Sequence, residues 1–281
     1  MGFFGMFNYN KDGPGVDKDA PPKNRFLLFF EVFVRKFWNI VRSNLLFVAF
    51  NLPAIAVAYF ISVWMLQKID VGDPTYNSVI KIAFMALILC IPVITAGPAQ
   101  AGFTYVMRNY SREEHAFIWG DFKDAAKRNF RQSLVISLID ILIMAVFAVD
   151  IVIYGSMKDQ SAFYLVANSF MIAAFILFLM MHMYIYPMLI TFKLSIFQIY
   201  KNALIFAIIR FLPNLGILIF SVLVMFVTMM ISPMAAPIFF LFVNFGLIGF
   251  TINFFVFPSL KKYISDGYEE KQGTGEKNRE S

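Results

Sequence analysis

The sequence predicts an all-α fold, namely a polytopic bundle of membrane-spanning helices. Hydrophobic residues make up 59% of the 281 residues, and charged residues make up only 15%, against about 25% in soluble domains. Long apolar stretches recur along the chain. Basic residues are concentrated before the first stretch, after the last one, and in every second segment that connects two stretches. A soluble domain of this length cannot bury so much apolar surface, whereas a lipid bilayer accepts it.

Six stretches are long enough to cross a bilayer, because a helix spans about 30 Å of hydrocarbon with about 20 apolar residues. Five of the six contain no Asp, Glu, Lys or Arg, and the third contains Asp140 and Asp150. The predicted spans are Ser43–Leu66, Ile82–Met107, Leu134–Met157, Ala162–Phe192, Phe211–Ile231 and Pro237–Leu260.

The distribution of Lys and Arg predicts the orientation, because these residues concentrate in cytoplasmic segments. Of the 24 basic residues, 21 lie before span one, between spans two and three, between spans four and five, or after span six. Only Lys68, Lys81 and Lys158 lie on the other side. We therefore expect both termini in the cytoplasm. The net charge of +6 is explained without nucleic acid, and the expected partners are the bilayer and its anionic head groups.

Three regions are predicted: a cytoplasmic tail with an interfacial helix (1–42), a six-helix transmembrane domain (43–260) and a cytoplasmic tail (261–281). Two inner segments, Phe26–Arg42 and Trp119–Gln132, have the amphipathic pattern of interfacial helices. In the second, an apolar stripe adjoins a basic face. The stripe is Trp119, Phe122, Ala126 and Phe130, and the basic face is Lys123, Lys127 and Arg131. These helices rest either on lipid or on the cytoplasmic ends of the bundle.

The chain also carries a weak three-fold pattern. Each unit is an inner segment followed by a helical hairpin, and each descending helix contains a proline: Pro98, Pro187 and Pro258. Three repeated hairpins explain this pattern. The alternative is that any six-span protein with its N-terminus inside places basic residues before its odd-numbered spans.

Prolines at similar depth in spans one and two predict interrupted helices. Pro53 lies about 14 Å from the inner end of span one, at 1.5 Å per residue, and Gly97-Pro98 lies at nearly the same depth in span two. Backbone that leaves the helix at this depth has to be buried in protein or line a cavity, as in transporters. Asn51, Thr95 and Gln100 would supply polar contacts there. The alternative is a plain proline kink.

Asp140 is the other candidate, because a carboxylate inside a membrane is costly and usually functional. It lies about six residues, roughly 9 Å, from the inner end of span three. His182 lies at a similar depth in span four. We expect the two side chains to be neighbours that can share a proton. The alternative is a purely structural pair, or a neutral Asp140 bonded to a Ser or Asn.

Several segments resemble the YesL family of bacterial integral membrane proteins, a group classed as a domain of unknown function. They are Ile91-Pro-Val-Ile-Thr-Ala-Gly-Pro-Ala-Gln-Ala-Gly102, Gly120-Asp-Phe-Lys-Asp-Ala-Ala-Lys-Arg-Asn-Phe-Arg-Gln132, Asn44-Leu-Leu-Phe with Asn51-Leu-Pro53, and Phe7-Asn-Tyr with Gly13-Pro-Gly-Val16. The resemblance covers roughly residues 1–265. It implies a bacterial cytoplasmic membrane and an association with carbohydrate uptake, with a membrane transport complex as a further partner, and it supplies no catalytic residues.

No motif in the sequence indicates catalysis. The sequence lacks Gly-x-x-x-x-Gly-Lys-Ser/Thr, His-Glu-x-x-His and Gly-x-Ser-x-Gly, and it contains two histidines and one cysteine. We therefore expect no enzyme, no cofactor and no metal site. The favoured function is a non-catalytic accessory or scaffold protein of the membrane. The alternative is a small transporter or channel that uses broken helices one and two.

The topology generates a direct prediction. Reporter fusions at Asp70, Lys158 and Ser232 should read outside, and fusions at Glu114, Lys193 and the C-terminus should read inside. The measurement is the activity of a paired periplasmic and cytoplasmic reporter at each site. A reversed reading at a single loop would break the six-span arrangement.

Overall fold

The computed structural model describes residues 24–68, 74–231 and 234–262, and within these ranges the secondary structure is helical. The elements are α1 (Arg25–Leu66), α2 (Pro74–Ser111), α3 (Ile118–Arg128), α4 (Phe130–Met157), α5 (Ala162–Thr191), α6 (Ile196–Ile209), α7 (Phe211–Ile231), α8 (Ala236–Phe239), a π-helix (Phe240–Asn244) and α9 (Phe245–Leu260). The predicted cytoplasmic tails lie largely outside the described residues, and so do Asp70, Ser232 and the motifs at 7–9 and 13–16.

Five helical stretches of the described chain are long and apolar enough to cross a membrane, which indicates a membrane protein. They are Arg25–Met65, Phe130–Met157, Ala162–Thr191, Phe211–Ile231 and Ala236–Leu260. They correspond to five of the six predicted spans, with ends that agree to within four residues except at the start of the first. The other predicted span, Ile82–Met107, lies inside the 38-residue α2.

The predicted division at residue 42 between an interfacial helix and span one has no counterpart in the secondary structure. α1 continues for 42 residues, roughly 63 Å at 1.5 Å per residue. Its N-terminal half packs on α9, where the ring of Phe29 lies 5.4 Å from those of Phe250 and Phe254. Phe29 and Val32 are buried in this contact. The segment is part of the bundle because its aromatic side chains find partners on the last span.

The predicted apolar stripe runs from α3 to the first residue of α4, and it is divided between the bundle and the surface. Phe122 is fully buried and Ala126 nearly so, whereas Trp119 and Phe130 are 61% and 53% exposed. The interpretation that the whole stripe lies on acyl chains is therefore wrong. Its middle packs on α2, because Gly102 allows the backbone of Phe122 to approach closely.

The prediction that spans one and two are interrupted is also wrong. α1 continues through Pro53, and α2 continues through Pro92 and Pro98. Each proline removes one backbone donor. In a long helix the hydrogen bonds of the turns on either side are enough to keep the helix continuous. The alternative interpretation, in which these prolines do not break the helices, agrees with the structure.

Glycines allow close contacts between α2 and its neighbours α3, α4 and α9. A Cβ added at Gly97 of α2 would lie 2.5 Å from the carbonyl oxygen of Ser133 on α4, and one at Gly102 would lie 2.5 Å from that of Phe122 on α3. A Cβ at Gly249 of α9 would enter the ring of Phe103 on α2. Small residues at helix interfaces are the usual means of close packing in membranes.

A buried asparagine joins the first span to the last. Asn44 of α1 is fully buried, and its Nδ2 donates to the carbonyls of Phe240 at 3.0 Å and Leu241 at 2.5 Å. Its Oδ1 accepts from the backbone N–H of Gly246 at 2.6 Å. These carbonyls belong to the π-helical turn, where the regular α-helical hydrogen bonding is lost. The side chain of Asn44 therefore completes the backbone bonding of the last span.

Replacing Asn44 with Ala should destabilise the bundle by about 2 kcal/mol, since interhelical hydrogen bonds in membranes are worth about 0.6 kcal/mol each and buried polar groups would lose their partner. Asn51→Ala is the matched control. Asn51 is also buried on α1, but its Nδ2 donates to Phe47 of the same helix. The measurement is unfolding in detergent micelles. Equal losses of unfolding free energy in the two variants would contradict the inference that Asn44 joins the first span to the last.

Candidate functional site

The candidate site is a cavity of about 590 Å³ lined by α2, α4 and α5. Most of its wall is apolar, from residues such as Val93, Met144 and Phe178. The polar side chains among its lining residues are Gln100, Ser137, Asp140, His182 and Tyr186. The cavity thus has one polar side, built around the carboxylate of α4.

Asp140 is 7% exposed and has two neighbours. Its Oδ1 accepts a hydrogen bond of 2.7 Å from the hydroxyl of Tyr200. Its Oδ2 lies 3.6 Å from Nδ1 of His182. That distance is slightly too long for a direct hydrogen bond but suits an ion pair. The predicted proximity of Asp140 and His182 is therefore present in the structure.

His182 sits among aromatic rings on α5. Its ring centroid lies 6.3 Å from that of Phe178 and 5.7 Å from that of Tyr186. Its Nδ1 is buried and has no hydrogen-bond partner among the described residues. Among the described residues, the carboxylate of Asp140 is the charged partner recorded for this nitrogen.

Tyr200 is the site residue that sequence reasoning missed. It lies on α6, which begins at a capping box formed by Ser195 and Gln198 and which had been assigned to a cytoplasmic link. The hydroxyl of Tyr200 reaches the carboxylate from α6, and it also lies 3.4 Å from the carbonyl oxygen of Ile136. The usable signal was the apolar run from Ile196 to Ile209, which marks a helix packed on the bundle.

A second phenol, Tyr186, closes the polar side of the cavity. Its hydroxyl lies 3.4 Å from Oγ of Ser137, which also donates to the carbonyl of Ser133 on its own helix at 3.1 Å. The sequence predicts a Ser or an Asn as the alternative bonding partner of Asp140. Tyr200 takes that place instead.

The structure divides the predicted binding residues into two groups. Gly97, Gln100, Asp140 and His182 line the one cavity. Asn51, Pro53, Thr95 and Pro98 are not among its lining residues. The hydroxyl of Thr95 donates to the carbonyl of Pro92 in its own helix, and Pro53 is exposed on α1.

The predicted basic face of α3 is present at the protein surface. Lys123 and Lys127 of α3 and Arg131, the second residue of α4, are all exposed. Lipid contact by these three side chains stays a prediction.

The chemistry of the site follows from the carboxylate of Asp140, the imidazole of His182 and the phenol of Tyr200. Within the described residues no group of three or more His, Cys, Asp or Glu side chains lies together to hold a metal ion. A carboxylate and an imidazole can hold one shared proton, and a phenol that donates to the carboxylate stabilises its charged form. The arrangement is therefore suited to binding a proton or a small polar group inside the bilayer.

Replacing Asp140 with Asn should cost little stability, below about 1 kcal/mol, because the amide oxygen can still accept from Tyr200 while a buried charge is removed. Asp140→Leu should cost more, since the Tyr200 hydroxyl then loses its acceptor. Unfolding in micelles measures both. If Asp140→Asn is as damaging as Asp140→Leu, the negative charge itself holds the bundle together.

Comparison with known proteins gives a family of unknown function. Residues 40–151 match the family described as "Protein of unknown function, DUF624"; the match covers α3, most of α1, all of α2 and most of α4. It includes Asn44, Gly97 and Asp140, whereas His182 and Tyr200 lie beyond it. No curated protein matches the chain, and no solved structure does so. The match therefore shows similarity to a family of unknown function, and it assigns no activity.

Proposed function

We propose that this protein is a non-catalytic accessory or scaffold protein of a bacterial cytoplasmic membrane. It spans the bilayer six times, with α2 as the second span, and both termini lie in the cytoplasm. Its resemblance to the YesL family supports an association with carbohydrate uptake. No cofactor and no nucleic acid take part in this function.

The observation that carries the proposal is the fixed packing of α2. Its two glycines, Gly97 and Gly102, place it in backbone contact with α4 and α3, and Phe103 fills the space left by Gly249 of α9. A helix held on three sides at this distance cannot slide without breaking all three contacts. Alternating access requires such movement of one helix group against another. A rigid bundle is better suited to holding a partner.

The surface offers places where a partner can bind. α3 presents its basic residues on one side and the exposed Phe117 and Trp119 at its start. At the same end of the molecule, Arg35 pairs with Glu113 at 2.6 Å between α1 and the segment after α2. Aromatic and Arg side chains are the residues most enriched in protein interfaces.

Capture from membranes in mild detergent tests the proposal. We expect a near-stoichiometric membrane transport protein to copurify with the wild-type chain. A six-span membrane protein of unrelated sequence, expressed at the same level, is the control. Trp119→Ala should weaken the capture about thirtyfold or more, as expected for an interface aromatic worth 2 kcal/mol or more. Copurification with neither chain, or equally with both, would contradict the scaffold role.

The cavity favours a second candidate, a small transporter linked to protons, because it places Asp140 and His182 beside Gln100. Flux into proteoliposomes separates the two functions. A transporter should show pH-dependent solute flux that Asp140→Asn abolishes. Asp150→Asn, on the same helix but outside the cavity lining, should leave that flux intact. A scaffold should show no flux in any of the three proteins.

A further inference from the structure

A second and larger groove lies on the other side of α5, between the N-terminal half of α1 and helices α7 and α9. Its volume is about 810 Å³. The walls are mainly aromatic and aliphatic, and they include Phe26, Phe30, Phe33, Phe220, Leu247 and Phe255. Phe26 and Phe30 are 61% and 49% exposed at its edge, so the groove opens to the surroundings of the bundle. An apolar chain is the kind of ligand that fits these walls.

One end of the groove is cationic. Arg25 and Arg210 both line it, and their guanidinium groups are near enough for their charges to interact. The guanidinium of Arg25 lies 5.2 Å above the ring of Phe254 and donates to the carbonyl of that residue. The described lining residues of the groove include no carboxylate. Two like charges at the end of an apolar groove are stabilised by an anion between them.

A buried hydroxyl at the same end has no partner. Ser259 is 4% exposed, and its Oγ makes no hydrogen bond to the described residues. Ser259 and Arg210 also line an adjoining pocket of about 400 Å³ that extends to Lys262. Buried hydroxyls are normally hydrogen-bonded. The cationic end therefore offers two guanidinium groups and a hydroxyl donor to one ligand.

The cationic end coincides with the ends of three helices. Arg25 begins α1, Arg210 directly precedes α7, and Ser259 is next to the last residue of α9. This is the end that the basic residues assign to the cytoplasm. The apolar walls extend from it along α1, α7 and α9, which is the arrangement that a membrane amphiphile needs: a head at the interface and a chain at membrane depth.

We propose that this groove binds an anionic phospholipid, with an acyl chain along the aromatic wall and the phosphate between Arg25 and Arg210. The charge of the end selects an anionic head over a zwitterionic one. The inference rests on the membrane location of the bundle and is independent of the accessory role, so either can fail without the other.

Gly216 of α7 supplies a sharp test, because it lines the groove and a Cβ added there meets nothing within 4 Å. Gly216→Leu puts a side chain into the space of the acyl chain without a clash in the protein. Leu is also a better helix former than Gly, so the variant should fold. Val222→Phe, an enlargement on the exposed surface of the same helix, is the matched control.

The experiment is native mass spectrometry of the full chain after incubation in mild detergent with equal amounts of phosphatidylglycerol and phosphatidylcholine. Wild type should retain phosphatidylglycerol preferentially. Gly216→Leu should lose both lipids, and Val222→Phe should retain them. Arg25→Gln with Arg210→Gln should reduce the preference by roughly fivefold per arginine, since each cation near an anionic head contributes about that factor.

The triple variant Lys123→Gln, Lys127→Gln and Arg131→Gln controls for net charge, and it should keep the preference. The proposal would be overturned if the triple variant lost as much of the preference for phosphatidylglycerol as the variant with both arginines replaced. It would also be overturned if Gly216→Leu retained lipid like wild type, or if wild type showed no preference between the two head groups. A groove filled by the chain's own C-terminal segment or by a second copy would leave wild type without retained lipid, which would also overturn it.

Discussion

The hydrogen bonds of Asn44 are the interaction on which the arrangement of the bundle depends. In hydrocarbon no water is present to bond with a free carbonyl, so every backbone group has to find its partner inside the protein. The π-helical turn in the last span frees carbonyls at that depth, and a side chain from the first span satisfies them. The chain termini of the transmembrane region are thereby held together, and α2, α3 and α4 pack around this pair.

The same requirement explains the polar side chains elsewhere in the bundle. Asn214 at the start of α7 donates to the carbonyls of Phe206 and Ala207 at the end of α6, and it accepts from the hydroxyl of Tyr184 at 2.6 Å. Asn129 bonds back to Ala125 where α3 meets α4. In each case an asparagine lies where an inner helix joins a span, and its amide satisfies carbonyls that the end of the helix leaves open.

The placement of five of the six predicted spans could be predicted from the sequence, because long apolar helices depend on hydropathy and length. The ends of Phe211–Ile231 agree with the structure for this reason. The joining of Phe26–Arg42 to span one could not be predicted, because it depends on aromatic contacts with α9, more than 200 residues away in sequence. Helix breaks at Pro53 and Pro98 were predicted wrongly because a single missing donor does not end a helix that neighbours support.

The candidate site shows the same limit at the level of single residues. Depth along two antiparallel helices was enough to predict that Asp140 and His182 are neighbours. Tyr200 was not found because it comes from α6, a helix that packs on α5 and reaches α4 through side chains such as that of Tyr200. A contact between residues at the same depth of neighbouring helices can be predicted from a sequence. A contact that depends on how a separate helix packs cannot.

Helices α5 and α6 connect the cavity and the groove. His182 and Tyr186 of α5 face the cavity, while Tyr184 faces the groove, because residues two positions apart point to nearly opposite sides of a helix. α6 is bonded to both regions: its Tyr200 holds Asp140, and the carbonyls of its last turn accept from Asn214. Arg210 follows that turn directly. A displacement of α6 would therefore disturb the carboxylate of the cavity and the cationic end of the groove together, which makes α6 the structural support that the two sites share.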